Sequence, residues 1–294
     1  MDSKIVEDYL ADEQEFKERA RLLGFAEAAN FYWYHTVDLG DGLVTPGIYD
    51  YRHSLSSFRF PDDMRGMTVL DVGSATGFFA FEFEKRGARV ISVELPSLEQ
   101  LDRFPGQTTE QLLKKIERMI LPNLPGAAPS QDGTASPHWL DSKEIYFRLL
   151  DGPFRFCQTR LNSKVERCFS TIYELSPQKL GVESFDMIYV GDILLHTFTP
   201  WQALAAVAPL VKAGGLLVLS QVMPEDLGDR PAMHYVGGDD PNGDDISWWW
   251  PNKACFEQLL KKMGFKTVEE VGRSKGILRS TAYAFERPVL HARN

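Results

Sequence analysis

Cysteine and long apolar runs are both scarce in this sequence of 294 residues. The three cysteines, Cys157, Cys168 and Cys255, are odd in number and form no C-x-x-C pair, which disfavours a disulfide framework or a zinc knuckle. No run of about 18 uninterrupted apolar residues occurs, so we expect no transmembrane helix. The charged N-terminal stretch "MDSKIVEDYLADEQEFKERARLLGF" lacks the apolar core of a secretory signal. We therefore expect a cytoplasmic protein with reduced thiols and no membrane partner.

Positive charge is also in short supply. The chain has 32 Lys and Arg residues against 41 Asp and Glu residues, so its formal net charge is −9. Because clustered Lys and Arg bind nucleic-acid backbones, this balance disfavours RNA as a partner but leaves a local basic patch open. An apolar content of 44% in a chain of this length predicts a self-sufficient hydrophobic core.

A rhythm of strand, turn and helix begins at Thr68. Apolar runs separated by amphipathic segments predict a parallel sheet with right-handed crossovers. The last two runs, separated by a short turn region at Ser274-Lys275-Gly276, predict a hairpin and hence one antiparallel strand near an edge. The predicted strands are "TVLDV", "ARVISVEL", "VERCFST", "FDMIYVGD", "GLLVLSQV", "KTVEEVGR" and "STAYAFER". The fold class is therefore α/β, with a seven-stranded, mostly parallel sheet and helices on both faces.

Two stretches outside this alternation of strands and helices predict structural units in addition to the main sheet. Residues 1–66 combine one or two amphipathic helices with the aromatic loop "FYWYHTVDLGDGLVTPGIYDYRHS", and we interpret them as a helical cap followed by an active-site loop. Residues 67–294 would form the main domain. An insertion at about 97–153 contains the predicted helix "TTEQLLKKIERMIL" and the Pro/Gly/Ser-rich stretch "PNLPGAAPSQDGTASPHW". Long excursions of this kind are usually functional, so we expect a lid.

The turn after the first strand predicts a ligand site. In a dinucleotide site with the pattern G-x-G-x-x-G starting at Gly73, the second and third glycines would stand where Ala75 and Phe78 occur. The pattern is instead Asp71-x-Gly73-x-Ala75-x-Gly77, which gives no reason to expect a bound polyphosphate. Small residues in the turn still permit close approach of a ligand to the backbone.

Two carboxylates flank this turn in the predicted sheet. Asp71, just before it, can accept hydrogen bonds from backbone N–H groups of the turn or, through water, from an ammonium group. Glu94 ends the second strand about twenty residues further on, where a carboxylate can accept from both hydroxyls of a ribose. A nucleoside without a polyphosphate is indicated.

The segments "VLDVGSATG", "VELP" and "FDMIYVGDILLH", together with the predicted antiparallel hairpin at the end of the sheet, resemble the Rossmann-like S-adenosylmethionine-dependent methyltransferases. The resemblance covers roughly residues 67–288. A redox Rossmann domain or a purely structural turn is the alternative for the glycine turn, but a nicotinamide domain does not call for the closing hairpin. The resemblance implies S-adenosylmethionine as cofactor, and implies cofactor contacts at Gly73, Ser74, Gly77, Glu94, Thr171, Ile172, Gly191 and Asp192, beside Asp71.

A narrower resemblance involves "YHTVDLGDGLVTPGIYDY", "SKVERCFSTIYELSP" and "LLHTFTPWQAL". Together they are similar to the group that includes the tRNA wobble-uridine methyltransferases and carboxymethyltransferases, and many relatives of unassigned substrate. The acidic balance and the insertion depart from what a tRNA-binding enzyme would need. No lysine matches the group's carboxylate-binding lysine, which favours the ordinary cofactor. A tRNA enzyme would require a contiguous basic face, formed by Arg155, Arg160, Lys164 and Arg167.

Two histidines are candidates for the catalytic base. His196 follows the predicted fourth strand, and His35 lies in the aromatic loop; the pKa of histidine suits proton removal near neutrality. The alternative for each is a structural role in bracing its loop. Aromatic candidates for the substrate site are Trp33, Tyr34, Trp248 and Trp249, since aromatic faces build a dry pocket and attract a sulfonium. The alternative is that they belong to the ordinary core.

The acidic run "GGDDPNGDD" raises the question of a metal. Counted from Asp240, the sixth position of a calcium loop is Asp245 and the twelfth is Pro251, where such a loop needs glycine and an acid. We expect a solvated turn and no metal. The sequence thus predicts methyl transfer to oxygen or nitrogen of a small, partly aromatic metabolite. The alternatives are a tRNA wobble-uridine methyltransferase and a non-catalytic cofactor-binding protein, and the oligomeric state is left open.

Overall fold

A computed structural model describes residues 3–120, 141–239 and 246–294. The predicted Pro/Gly/Ser-rich part of the insertion and most of the acidic run lie outside these residues. No helix among the described residues is long and apolar enough to cross a membrane.

Seven strands form the main sheet, and a two-stranded ribbon lies apart from it. The strands are β1 (Thr68–Val72), β2 (Arg89–Glu94), β3 (Glu166–Phe169), β4 (Phe185–Gly191), β5 (Val211–Ser220), β6 (Met233–Tyr235), β7 (Trp249–Pro251), β8 (Thr267–Leu278) and β9 (Tyr283–Arg293). The main sheet has the order β3-β2-β1-β4-β5-β9-β8, with β6 and β7 forming the ribbon. β9 runs opposite to the other six strands of the main sheet, so the predicted fold class is confirmed.

Helices cover both faces of this sheet, as expected for strands with apolar side chains on both sides. They are α1 (Ser3–Leu22), α2 (Phe78–Lys85), α3 (Thr109–Ile120), α4 (Ser142–Tyr146), α5 (Gly152–Arg160), α6 (Pro177–Leu180), α7 (Pro200–Val207) and α8 (Lys253–Lys262). One face packs against phenylalanines of α2, and the opposite face packs against α7 and α8. Asn252 starts α8 by accepting a hydrogen bond from Cys255 N at 2.9 Å, the usual role of an N-cap side chain.

The closing hairpin differs from the prediction in the position of its turn. Ser274, Lys275 and Gly276 do not form the turn but pair with Arg287, Glu286 and Phe285 inside the β8–β9 ladder. A Cβ at Gly276 would lie 2.4 Å from the Phe285 ring, so this glycine permits close packing across the strands. The turn falls after Leu278, and both strands are correspondingly longer than the sequence pattern indicated.

The N-terminal segment is packed into the same core as the sheet. Phe58 is fully buried, and its ring lies 6.0 Å from that of Tyr189 on β4. Its carbonyl accepts a hydrogen bond from His291 Nε2 on β9 at 2.9 Å. In the aromatic loop, isolated bridges pair His35 with Tyr49 and Asp38 with Val44. The segment therefore holds the loop against the sheet edge where the strands end.

We predict that Phe58→Ala lowers the free energy of unfolding by about 3–5 kcal/mol, because it removes a ring from a site that cannot collapse. Chemical denaturation followed by tryptophan fluorescence would measure the change. Tyr283→Ala is the control, since that ring is 64% exposed and its loss should cost within about 0.5 kcal/mol. Equal stability of the Phe58→Ala variant and the unsubstituted chain would contradict this packing.

Candidate active site

A cavity of about 250 Å³ lies at the carboxyl ends of the parallel strands. Ligands of open α/β sheets bind at this edge. The aromatic loop contributes Tyr34, His35, Tyr49 and Tyr51 to its wall. The insertion contributes further apolar residues, namely Leu98, Leu101, Ile116, Leu149 and Leu150. Leu149 and Leu150 belong to a π-helical turn over Phe147–Asp151, a conformation often found at functional sites.

The glycine turn brings the backbone close to this cavity. Gly73 has a φ of +75°, and a Cβ there would lie 2.5 Å from Ile193 Cδ1. A side chain is therefore excluded both by backbone conformation and by space. Ala75 also has a positive φ of 47°, so the turn is held in a conformation that a non-glycine residue rarely adopts.

Asp71 lies beneath this turn with only 1% of its surface exposed. Its Oδ2 atom has no hydrogen-bond partner among the described residues. Burial raises the pKa of this carboxyl to about 7, while Arg167 opposes the shift and the carboxylate of Glu94 adds to it. A buried oxygen without a partner is costly, so this carboxylate is suited to accept a hydrogen bond from a bound cation.

Glu94 ends β2 and faces the same cavity. Its Oε2 accepts from the backbone N–H of Ala75 at 2.9 Å, and its Oε1 accepts from that of Leu95 at 3.0 Å. These two bonds fix the carboxylate plane. Because each carboxylate oxygen has a second lone pair, Glu94 keeps acceptor capacity for ligand hydroxyls.

Thr171 and Ile172 follow β3 and also line the cavity. The neighbouring Ser170 donates its backbone N–H to Glu94 O at 2.9 Å, so the segment after β3 continues alongside the end of β2. This places Thr171 and Ile172, both predicted cofactor contacts, next to the carboxylate of Glu94.

His196 lies in the cavity wall after β4. Its Nδ1 is 2.5 Å from the carbonyl oxygen of Ile246. A carbonyl can only accept, so Nδ1 carries the proton and, in the neutral ring, Nε2 is the basic nitrogen. Burial lowers the pKa of His196, whereas the Ile246 carbonyl and the Asp192 carboxylate act in the opposite direction.

His35 reaches the cavity from the aromatic loop. Its ring lies 5.7 Å from that of Tyr51 and 6.0 Å from that of Phe79, and its Nδ1 is buried with no hydrogen-bond partner in the described part of the chain. Burial lowers the pKa of His35 to about 4. It is therefore neutral at neutral pH and is a weak base.

Asp192 borders the cavity beyond β4 with a positive φ of 42°. One carboxylate oxygen accepts from Arg287 Nε at 2.6 Å and the other accepts from Val222 N at 3.0 Å. Burial raises the pKa of this carboxyl, and Arg287 opposes the shift. Gly191 also lines the cavity, where a Cβ would lie 2.3 Å from the Tyr189 hydroxyl oxygen.

Five of the predicted site residues do not line the cavity. Ser74 bonds to Ser92 at 2.6 Å, and Gly77 packs against Phe154, so both support the turn from its far side. Trp33 is 4% exposed and packs against Phe16, Phe31 and Phe156 in the core, which corrects its assignment to the substrate site. Its neighbour Tyr34 does line the cavity.

The same correction applies to the tryptophans near the second ribbon. Trp248 is fully buried against Phe104 and Phe198, while Trp249 donates its indole N–H to Phe198 O at 3.1 Å. Trp248 is therefore covered by Phe104 of the insertion and by Phe198. The ring of Trp249 lies 5.2 Å from that of Tyr235 on the neighbouring strand of the ribbon.

Sequence reasoning missed four tyrosines and one arginine. Tyr49, Tyr51, Tyr173 and Tyr189 line the cavity. Arg167 lies beneath the turn, where its Nη1 donates to Ser74 Oγ at 2.6 Å. Tyr49 and Tyr51 stand in the segment that carried the narrower family resemblance. Arg167 had been considered only as part of a surface for tRNA, yet its side chain is 8% exposed. A charged residue inside a predicted strand was the available signal.

The strand order, the glycine turn and the cavity define a Rossmann-like methyltransferase fold. A family of methyltransferase domains matches residues 48–270, so the chain belongs to this family, whose cofactor is S-adenosylmethionine. No curated protein sequence matches the chain.

Several solved structures share the fold at low identity. The 1,6-didemethyltoxoflavin-N1-methyltransferase of Burkholderia thailandensis, with bound 1,6-didemethyltoxoflavin and S-adenosylhomocysteine, is 15% identical with a TM-score of 0.44, over 78% of this chain and 72% of that one. The magnesium protoporphyrin IX methyltransferase of Synechocystis PCC 6803 is 13% identical with a TM-score of 0.42, over 79% and 72%. An S-adenosylmethionine-dependent methyltransferase of Mesorhizobium loti is 14% identical with a TM-score of 0.41, over 80% and 94%.

The residues at this edge are chemically suited to the family's cofactor. The unpaired Oδ2 of Asp71 can accept from the methionyl ammonium, and Glu94 has lone pairs for ribose hydroxyls. Gly73 leaves space that a side chain would fill. The described residues contain no group of three or more His, Cys, Asp or Glu side chains that could hold a metal ion.

We predict that Glu94→Ala weakens S-adenosylmethionine binding by about 1–3 kcal/mol, because ribose hydroxyls would be buried without partners. Isothermal titration calorimetry gives the affinity directly. Glu174→Ala is the control, since that side chain is 62% exposed and is paired with Lys179. Unchanged affinity of the Glu94→Ala variant would refute the assignment of this carboxylate.

Proposed function

We propose that the chain methylates oxygen or nitrogen of a small, partly aromatic metabolite, with His196 as the general base. The observation that carries the proposal is the bond between His196 Nδ1 and the Ile246 carbonyl at 2.5 Å. It selects the tautomer whose Nε2 accepts protons, at a residue in the cavity wall. His35 is the weaker candidate because burial lowers its pKa to about 4 and leaves its Nδ1 unpaired.

S-adenosylmethionine supplies an electrophilic methyl group on a sulfonium, so the protein must align the acceptor and remove its proton. The bound cofactor would supply the methyl group by breaking its bond to the sulfonium sulfur, and would leave as S-adenosylhomocysteine. The proton of the acceptor oxygen or nitrogen would pass to His196 Nε2. The Asp192 carboxylate favours the protonated ring electrostatically. Arg287 holds that carboxylate in place through the 2.6 Å bond.

The proposal of a partly aromatic acceptor is supported by the tyrosine-rich wall. Tyr34, Tyr49, Tyr51 and Tyr189 line the cavity, and burial raises the pKa of each, so all four remain neutral phenols near neutrality. Their hydroxyls make no hydrogen bond to the described residues. Neutral rings with free hydroxyls can pack against a planar acceptor and donate hydrogen bonds to its polar atoms.

The proposal of a small acceptor rather than tRNA is supported by the ion pairs and the burial of the four basic residues that a tRNA-binding face would require. Arg155 is paired with Asp151 at 2.9 Å, Arg160 with Asp41 at 3.1 Å, and Arg167 is buried. Of the four, Lys164 alone is exposed and makes no ion pair within the described part of the chain. A single lysine gives little counterion release, so this surface offers no strong attraction for a phosphate backbone.

We predict that His196→Gln lowers the rate of methyl transfer by about 10²- to 10⁴-fold, because the general base is removed. Labelled S-adenosylmethionine would be incubated with a panel of small phenols, catechols and nitrogen heterocycles, and separately with bulk tRNA. Cofactor affinity of the variant should stay near that of the unsubstituted chain.

His53→Gln is the matched control, since His53 is an exposed histidine outside the cavity. Full activity of the His196→Gln variant would contradict the role of His196 and leave alignment alone as the means of catalysis. Labelling of tRNA and not of small acceptors would overturn the acceptor class. Cofactor binding with no labelled product from any acceptor would favour a non-catalytic binding protein.

A further inference from the structure

Three neighbouring strands place polar side chains in one row of an otherwise apolar sheet face. Asp71 on β1 is in register with Ser92 on β2, and Ser92 is in register with Arg167 on β3. Residues in register on adjacent strands point to the same face. The row continues to Tyr189 on β4, which is in register with Asp71. Polar groups in a buried row need partners, so their mutual contacts decide what this row can do.

Arg167 connects this row to the glycine turn. Its Nη1 donates to Ser74 Oγ at 2.6 Å and to Ser92 Oγ at 3.0 Å. Its Nη2 lies 3.5 Å from Ala75 O and 3.8 Å from Glu94 Oε2. The planar guanidinium can make these contacts together because its donors form a rigid fork.

The guanidinium is enclosed on its other side by α5, at the point where the insertion ends. Its central carbon lies 3.9 Å from the centre of the Phe154 ring on α5. The groups that act electrostatically on Arg167 are Glu94 and Asp71 on the sheet, with Tyr146 and Asp151 in the insertion. The cation is thus held between α5 with the end of the insertion on one side and the carboxylates of Asp71 and Glu94 on the other. Its contacts are too many for a solvated surface residue.

The charges around Asp71 explain why such a cation is needed. Two neighbours favour the ionised form of Asp71: Arg167 on β3 and the backbone N–H of Ala80 on α2. The Glu94 carboxylate on β2 disfavours it. Tyr189 on β4 faces the same group as a neutral phenol. Arg167 is the one positive side chain among these neighbours. Two carboxylates close together in a buried site would otherwise tend to share a proton.

We propose that Arg167 is a positioning residue of the cofactor site: it fixes the turn through Ser74 and supplies the positive charge that lets Asp71 bind S-adenosylmethionine as a carboxylate. The acceptor and its proton play no part in this role. The proposed role of Arg167 can therefore be tested independently of whether His196 is the general base.

The sign of the pH effect follows from which form of Asp71 binds the cofactor. The ionised carboxylate accepts from the ammonium group, so affinity should rise with pH as Asp71 ionises around its pKa of about 7. Loss of Arg167 removes an influence that lowers this pKa, and the rise in affinity moves to higher pH. At pH 7 about half of Asp71 is ionised when its pKa is about 7, and about a tenth is ionised when the pKa is one unit higher. A rise of one unit should therefore weaken binding at pH 7 about fivefold.

The test is a double-mutant cycle read by calorimetry with S-adenosylmethionine. The unsubstituted chain, Arg167→Gln, Asp71→Asn and the double variant would be titrated at about pH 6, 7 and 8, a range that brackets the raised pKa. Titration of the ligand itself is common to all four proteins and cancels in the cycle. We expect Arg167→Gln to weaken binding about fivefold at pH 7 when Asp71 is present, and much less when Asn replaces it.

An equal loss in both backgrounds at every pH would mean that Arg167 only braces the turn, and would overturn the proposal. Arg167→Lys keeps the charge without the fork, so it should retain the pH midpoint of the unsubstituted chain; a midpoint shifted as far as in Arg167→Gln would also overturn it. If Arg167→Gln does not fold, Asp71→Asn alone must abolish the rise in affinity with pH, and its persistence contradicts the proposal. Arg89→Gln is the control, because Arg89 on β2 forms an exposed ion pair with Glu166 on β3, the two strands that also carry Ser92 and Arg167.

Discussion

The central constraint in this structure is the enclosure of Asp71 and Glu94 with a single compensating cation at the carboxyl ends of β1 to β3. Asp71 is 1% exposed and Glu94 is 7% exposed, so both sit where unpaired charge is expensive. Arg167 pairs with Glu94 at 3.8 Å and lies under the turn that both carboxylates flank. The site is consequently shaped around a ligand that brings positive charge, as the cofactor of this methyltransferase family does.

The part of the cavity wall around His196 has a different charge balance. Burial lowers the pKa of His35 and His196 and raises the pKa of the tyrosines, so these groups are neutral near neutral pH. Asp192 borders the same wall, and its charge is compensated by the ion pair with Arg287. The insertion adds apolar side chains to the wall, which limits the access of water.

Much of this arrangement could be predicted from the sequence, because local periodicity and the ends of strands specify it. The sheet, the turn at Gly73 and the position of Glu94 follow from the alternation of strand and helix and from small residues between them. Trp33 could not be placed, because only tertiary contacts decide whether an aromatic faces the core or a cavity. Arg167 was missed for a related reason: its alignment with Ser92 and Asp71 depends on strand register. Gly276 was assigned to a turn because the sequence alone does not distinguish a glycine that permits close packing between strands from a glycine in a turn.

The most direct test of this account is a crystal structure of the chain with S-adenosylhomocysteine. We predict that the amino group lies within hydrogen-bonding distance of Asp71 and that the ribose hydroxyls are bound by Glu94, with Arg167 unmoved beneath the turn. A ligand bound at another edge of the sheet, or a Glu94 side chain turned into bulk solvent, would contradict the account.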